Sequence, residues 1–136
     1  MIVVVLAAVA AVVYVRGRDG APGTRHWVAG SSPDRRLALT AVAGPVEPLH
    51  ARRVDLMSVQ VSQQPEELRR YGAVVCKLHH DPLPKGNVPT TDAVRTLTCQ
   101  RTSPALSVVG TDPGPALEHH PEAVARMVDR AYQRLS

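Results

Sequence analysis

The fold of this chain is decided by two short stretches, YGAVVCKLH at residues 71–79 and VRTLTCQ at residues 94–100, each of which holds one cysteine. Both are rich in β-branched residues and alternate between apolar and polar positions, a pattern that is typical of strands. The segment between them, DPLPKGNVPT at residues 81–90, is rich in proline and glycine and favours a loop. We therefore predict two neighbouring strands that each carry one cysteine.

Cys76 and Cys99 are the only cysteines of the chain, and their places on these strands predict a cross-strand disulfide. Closing a loop of about 24 residues would stabilise the fold by roughly 3 kcal/mol. A disulfide would also imply an oxidising compartment, and therefore an extracytoplasmic domain. The alternative is a pair of ordinary buried thiols, because free cysteine is among the most buried residue types.

Further strands and one helix are predicted around this pair. Apolar residues indicate strands at residues 37–43, 54–61 and 105–109, and acids followed by bases after a proline indicate a short helical turn at 63–70. From Pro121 onward a single apolar stripe predicts an amphipathic helix, and its members are Val124, Met127, Val128, Ala131 and Leu135. The predicted fold class is α+β, an antiparallel sheet of four or five strands with a C-terminal amphipathic helix on one face.

The start of the chain is entirely apolar, and residues 1–15 read MIVVVLAAVAAVVYV. We predict an N-terminal transmembrane helix here, with Arg16 and Arg18 at the level of the lipid headgroups. A helix of this length spans roughly 22 Å against about 30 Å of hydrocarbon, which leads to the hypothesis that the native chain starts upstream of Met1. The alternatives are a signal peptide, which lacks its basic region and cleavage site here, and a core helix, which lacks a polar face.

These features divide the chain into a transmembrane anchor at residues 1–15, a flexible linker at 16–34 and a small α+β domain at 35–136. The linker is assigned from its glycine, proline and serine content. Two signals for orientation disagree, because Arg16 and Arg18 favour a cytoplasmic domain whereas the disulfide favours an extracytoplasmic one. We predict a single-pass protein of the cell membrane with an extracytoplasmic domain, and a cytoplasm-facing anchored domain is the alternative.

The charge balance does not favour nucleic acid as a partner. The chain has 16 Lys and Arg against 12 Asp and Glu, a formal net charge of +4, and only 3% aromatic residues. Arginine doublets begin at residues 35, 52 and 69, and we interpret them as solvated ends of strands or helices rather than as a phosphate-binding patch. The richness in Ala, Arg, Val and Pro with little Lys resembles proteins from GC-rich bacterial genomes.

A metal site is the alternative use of the cysteines. Cys76 and His79 have ligand-like spacing, and Cys99 with a further histidine would complete a tetrahedral set. Four of the six histidines form the pairs 79–80 and 119–120. A disulfide and a metal site exclude each other, because a disulfide leaves no thiolate to bind the metal. We interpret the histidines as exposed loop residues and predict no cofactor.

No arrangement of residues predicts catalysis. Cys76 with His50 or His79 would supply a nucleophile and a base, but no orienting residue identifies them as a pair. The predicted function is therefore a membrane-anchored accessory or interaction domain without catalytic activity. Its predicted partners are the lipid bilayer, through residues 1–15, and another membrane or cell-envelope protein, through a sheet edge or a loop.

Overall fold

A computed structural model describes residues 23–51, 66–81 and 94–136 of the chain. These residues form six strands, a 3-10 turn and one α-helix. The strands are β1 (Thr24–Ala29), β2 (Leu37–Ala43), β3 (Glu66–Tyr71), β4 (Val74–His80), β5 (Val94–Thr102) and β6 (Leu106–Thr111). The 3-10 turn is Pro33–Arg35 and the helix, α1, is Pro121–Leu135. In the described ranges no helix has the length and apolar character needed to cross a membrane.

The six strands form one sheet in the order β1-β2-β6-β5-β4-β3, and every neighbouring pair is antiparallel. The α+β class and the C-terminal helix are confirmed. The sheet has six strands where four or five were predicted. The transmembrane helix predicted at residues 1–15 and the strand predicted at 54–61 lie outside the described residues.

Two local predictions differ from the structure. Residues 63–70 were predicted as a helical turn, but Glu66–Tyr71 is a strand, because it pairs with β4 across a tight turn in which Gly72 has a φ of +60°. Glycine adopts this conformation at little cost. Within the predicted linker at residues 16–34, Thr24–Ala29 forms strand β1, which pairs along its whole length with β2. In both cases a partner strand overrides the local composition.

Helix α1 packs across β4, β5 and β6 on one face of the sheet. Four residues lie opposite one another across neighbouring strands, namely Leu39, Gly110, Cys99 and Cys76. They share the helix-facing side of the sheet. A Cβ added at Gly110 would lie 2.8 Å from Val128 Cγ2 and 2.9 Å from Leu37 Cδ2. The missing side chain of Gly110 therefore allows α1 to approach the sheet closely.

Polar side chains on the opposite face of the sheet hold the segment that follows β2. The Ser107 hydroxyl, fully buried, donates to the Gly44 carbonyl oxygen at 2.8 Å and accepts from the Val46 amide at 3.2 Å. Gln100 Nε2 donates to the Glu47 carbonyl oxygen at 3.4 Å. Burying such groups is costly unless they are hydrogen-bonded. This face therefore uses its polar groups to fix residues 44–47.

Candidate binding groove

A groove of about 580 Å³ lies between the edge strand β1 and one flank of α1. It forms because α1 lies mainly over β4, β5 and β6 and leaves the β1 side of the same face less covered. We call it the arginine groove. Its size falls in the range of about 300–1,000 Å³ that is typical of small-molecule sites.

The floor of the arginine groove is apolar. Trp27 and Ala29 on β1 and Leu39 on β2 face it, because all three occupy the helix-facing side of the sheet. The helix and the segment before it add Leu117, Ala123, Met127, Ala131 and Leu135. Trp27 is half-buried and is the only tryptophan of the chain, so its fluorescence reports on this floor alone.

Five arginines surround the floor. Arg25 and Arg35 stand on the sheet side, and Arg126, Arg130 and Arg134 follow one another along α1. Residues four apart on a helix lie on the same face, and all five residues are exposed. The rim is therefore positive on both sides of an apolar floor.

The structure describes every residue that lines the groove, and none of these residues carries a carboxylate that would neutralise the rim. Elsewhere in the described ranges, arginines pair with carboxylates at Arg69, Arg95 and Arg101, none of which lines the groove. On α1, Asp129 accepts hydrogen bonds from Arg101 and Gln133. Arg101 also stacks over the ring of Tyr132, 4.0 Å from its centroid. Asp129 is thus engaged with Arg101 and Gln133, neither of which lines the groove.

The 3-10 turn that carries Arg35 is held by two glycines. A Cβ at Gly114 would lie 2.5 Å from the Asp34 carbonyl oxygen, and one at Gly30 would lie 2.3 Å from the Arg35 carbonyl oxygen. The Gly114 amide donates to the Arg36 carbonyl oxygen at 2.8 Å, and the Ala116 amide donates to the Asp34 carbonyl oxygen at 2.9 Å. Close backbone packing therefore fixes this wall of the groove.

The cysteines are joined, as predicted. Cys76 and Cys99 form a disulfide between directly opposed positions of β4 and β5, and both are fully buried. Cys76 Sγ lies 3.9 Å from the carbonyl oxygen of Pro121, the first residue of α1. The disulfide thus sits under the start of the helix, at the centre of the core.

The structure does not assemble the alternative metal ligands. The disulfide removes both thiolates, and His79 lies on the opposite face of β4 from Cys76. Within the described segments, no three His, Cys, Asp or Glu side chains are placed to hold a metal ion. His79 instead lies beside Glu66, with Nδ1 3.6 Å from Oε1.

The prediction that the histidines are exposed loop residues is wrong for His80, which lies at the end of strand β4. His80 is fully buried, and its Nε2 lies 3.3 Å from Oε2 of Glu67 on β3. Arg69 donates to the same carboxylate, with Nε 2.7 Å from Oε1. The alternation of side chains along β4 could have predicted this burial, because it places His80 on the same face as Cys76 and Leu78. The cluster lies at the β3 side of the sheet, away from the arginine groove.

The Glu67 cluster predicts a stability that depends on pH. The hydrogen bond from Arg69, assisted by that from His80, holds the pKa of Glu67 below its ordinary value of 4.5 against the opposing effect of burial. A depressed pKa contributes stability that is complete above the unfolded value and is lost as the pH falls through the folded value. We expect Glu67→Gln to cost about 1 kcal/mol near pH 7, since the pair is partly exposed, and the difference to shrink as the pH falls below 4.5 and through the folded pKa of Glu67.

Urea unfolding of the full chain between pH 3 and pH 7 measures this difference. Glu47→Gln is the matched control, because the Glu47 side chain is 86% exposed, and it should change the unfolding free energy by less than about 0.5 kcal/mol. An unchanged gap between wild type and Glu67→Gln at pH 3 would contradict the assignment.

Comparisons with known proteins give no relative for this chain. No protein-family model matches it, and neither a curated protein nor a solved structure does.

Proposed function

We propose that this chain is a membrane-anchored, extracytoplasmic interaction domain without catalytic activity, and that the arginine groove is its binding surface. The observation that carries the proposal is an apolar floor bordered on both sides by exposed arginines. Such a surface suits a ligand with an apolar body and negative charge. The lining residues include no His, Cys, Asp or Glu side chain to act as a general base, which favours binding over catalysis.

Membrane anchoring is proposed from the run of apolar residues at 1–15, which has the character of a membrane span although it is short. The partners we propose are the bilayer, through this segment, and another component of the membrane or cell envelope, through the groove. Nucleic acid remains outside the proposal, because the groove offers one aromatic residue, Trp27, and an otherwise aliphatic floor.

The extracytoplasmic orientation is supported by the buried disulfide, since such bonds persist in oxidising compartments. Arg16 and Arg18 support the opposite orientation. The disulfide is the stronger of these two signals for orientation. A bias of two positive charges is small, whereas a reducing compartment would keep both cysteines as thiols in every copy of the protein.

Charged substitutions in the apolar segment test the anchor. We expect the full chain to remain in membranes after alkaline carbonate extraction and Val5→Arg/Val9→Arg to be released, because each arginine at the centre of a span costs about 3 kcal/mol. Val5→Leu/Val9→Leu is the matched control and should stay in the pellet. Release of the wild-type chain by carbonate would refute the anchor.

Peptide mapping tests the orientation. Membranes are alkylated when the cells are broken, and the protein is digested without reductant. Recovery of Cys76 and Cys99 in one linked pair of peptides would support an extracytoplasmic domain. Recovery of both cysteines in alkylated form would instead favour a cytoplasmic domain.

A further inference from the structure

We propose that the arginine groove binds one anionic phospholipid, with its phosphate against the rim arginines and one acyl chain along the apolar floor. The inference rests on the proposed function, since the anchoring membrane supplies the lipid. It goes beyond that function by assigning the ligand its chemical class and its orientation in the groove.

The charges of the rim identify the headgroup. The guanidinium group presents a planar fork of donors that matches phosphate oxygens. Arg25 and Arg35 line the groove from the sheet side, whereas Arg126 and Arg130 line it from the helix, so that guanidinium donors are present on both sides of the apolar floor. Each basic residue near an anionic membrane surface strengthens binding about fivefold.

The dimensions of the floor suit one acyl chain. The helical part of the floor runs from Ala123 to Leu135, a rise of about 18 Å. A single slender apolar chain can lie along a groove of this length and of about 580 Å³.

The charge of this protein argues against its own segments and against a second copy as occupants. Residues 1–15 contain no charged side chain, and residues 16–22, 52–65 and 82–93 each contain at least as many basic as acidic side chains. A second copy carries a formal net charge of +4. A positive rim is best complemented by an anionic ligand.

The proposed anchor brings the groove to the lipid. Arg25 follows Val15 by ten residues, and a fully extended chain of that length reaches at most about 35 Å. The groove is therefore held close to the headgroups, where tethering raises the effective lipid concentration. An anionic phospholipid of that membrane is a phosphate-bearing amphiphile within that distance.

Quenching of Trp27 tests the inference in the full chain reconstituted into vesicles. Vesicles of phosphatidylcholine carry either brominated phosphatidylglycerol or brominated phosphatidylcholine at the same mole fraction. Bromine on an acyl chain quenches a tryptophan that it touches. We expect at least twofold stronger quenching with the brominated phosphatidylglycerol, because only the anionic lipid is held against Trp27.

Two double variants that remove the same charge distinguish a specific binding site from general electrostatic attraction to a negative membrane surface. We expect Arg126→Gln/Arg130→Gln to raise the half-saturating fraction of phosphatidylglycerol about 25-fold, at about fivefold for each arginine. Arg70→Gln/Arg95→Gln removes the same charge from exposed positions outside the groove and should leave that fraction within about twofold, because distant charges are screened.

Three outcomes would overturn the lipid assignment. Equal quenching by both brominated lipids would mean that Trp27 meets the bilayer without lipid selection. Equal weakening by the two double variants would mean general attraction to a negative surface. The third outcome concerns a short peptide of alternating Leu and Glu, added to the protein in phosphatidylcholine vesicles. If this peptide shifts the emission of Trp27, and the shift is lost in Arg126→Gln/Arg130→Gln, the ligand is an acidic protein segment.

Failure of the proposed function is recognised separately. If Trp27 is not quenched and carbonate releases the protein from the same vesicles, the anchor itself has failed. If Trp27 is not quenched and the protein stays in the membrane, the anchor stands and the lipid assignment alone is wrong.

Discussion

Removing the disulfide is expected to lower the free energy of unfolding of this protein by about 3 kcal/mol. The bond joins positions 23 residues apart on adjacent strands, so that without it the unfolded chain regains the freedom of the loop that it closes. Small domains are stable by about 5–15 kcal/mol, which makes this a large fraction of the total. The variant Cys76→Ala/Cys99→Ala, unfolded in urea, measures the effect.

Unfolding of the reduced wild-type chain distinguishes the stability contributed by the covalent bond from that contributed by the packing of the sulfur atoms. Both cysteines are fully buried under α1, so that the alanine variant also loses core contacts, at about 1 kcal/mol or more. Reductant should destabilise the wild type and leave Cys76→Ala/Cys99→Ala unchanged. An alanine variant as stable as the oxidised wild type would show that the bond does not hold the fold.

Replacing Gly114 by alanine is expected to cost about 2 kcal/mol. The new Cβ would lie 2.5 Å from the Asp34 carbonyl oxygen and 2.6 Å from that of Pro33. Both atoms belong to backbone, which cannot rotate away as a flexible side chain can. The 3-10 turn must therefore shift, and the hydrogen bond from the Ala116 amide to Asp34 is weakened.

Thermal or urea unfolding measures the cost at Gly114. The exposed residue Ala116 provides the control, and Ala116→Ser should change stability by less than about 0.5 kcal/mol. Since the same turn carries Arg35, Gly114→Ala should also weaken quenching of Trp27 by brominated phosphatidylglycerol. An alanine variant with wild-type stability would mean that the turn is free to move.

The elements that could be predicted from sequence are those whose own residues repeat with a clear period. The apolar alternation of β2 and the stripe of α1 reflect which side chains meet the core, and both elements lie close to the predicted positions. In strand β3 acidic residues come first and basic residues last, an order that is typical of a helix. These residues are Glu66, Glu67, Arg69 and Arg70. The strand character of β3 comes from β4, a partner that no local pattern reveals.

The groove could not be predicted from the sequence, for a similar reason. Arg126, Arg130 and Arg134 have a visible helical spacing, but a row of charges on a helix is ordinarily a solvated face. They become one wall of a groove only because Arg25 and Arg35 stand across an apolar floor from them. That juxtaposition is set by the pairing of β1 with β2 and by the turn held at Gly114.

The position of the disulfide also decides how the protein responds to a protease. Cys76 and Cys99 enclose the whole connection between β4 and β5. A single cut of the backbone between residues 77 and 98 therefore yields two pieces that remain covalently attached through the core. Loss of a peptide bond there does not release one half of the sheet from the other.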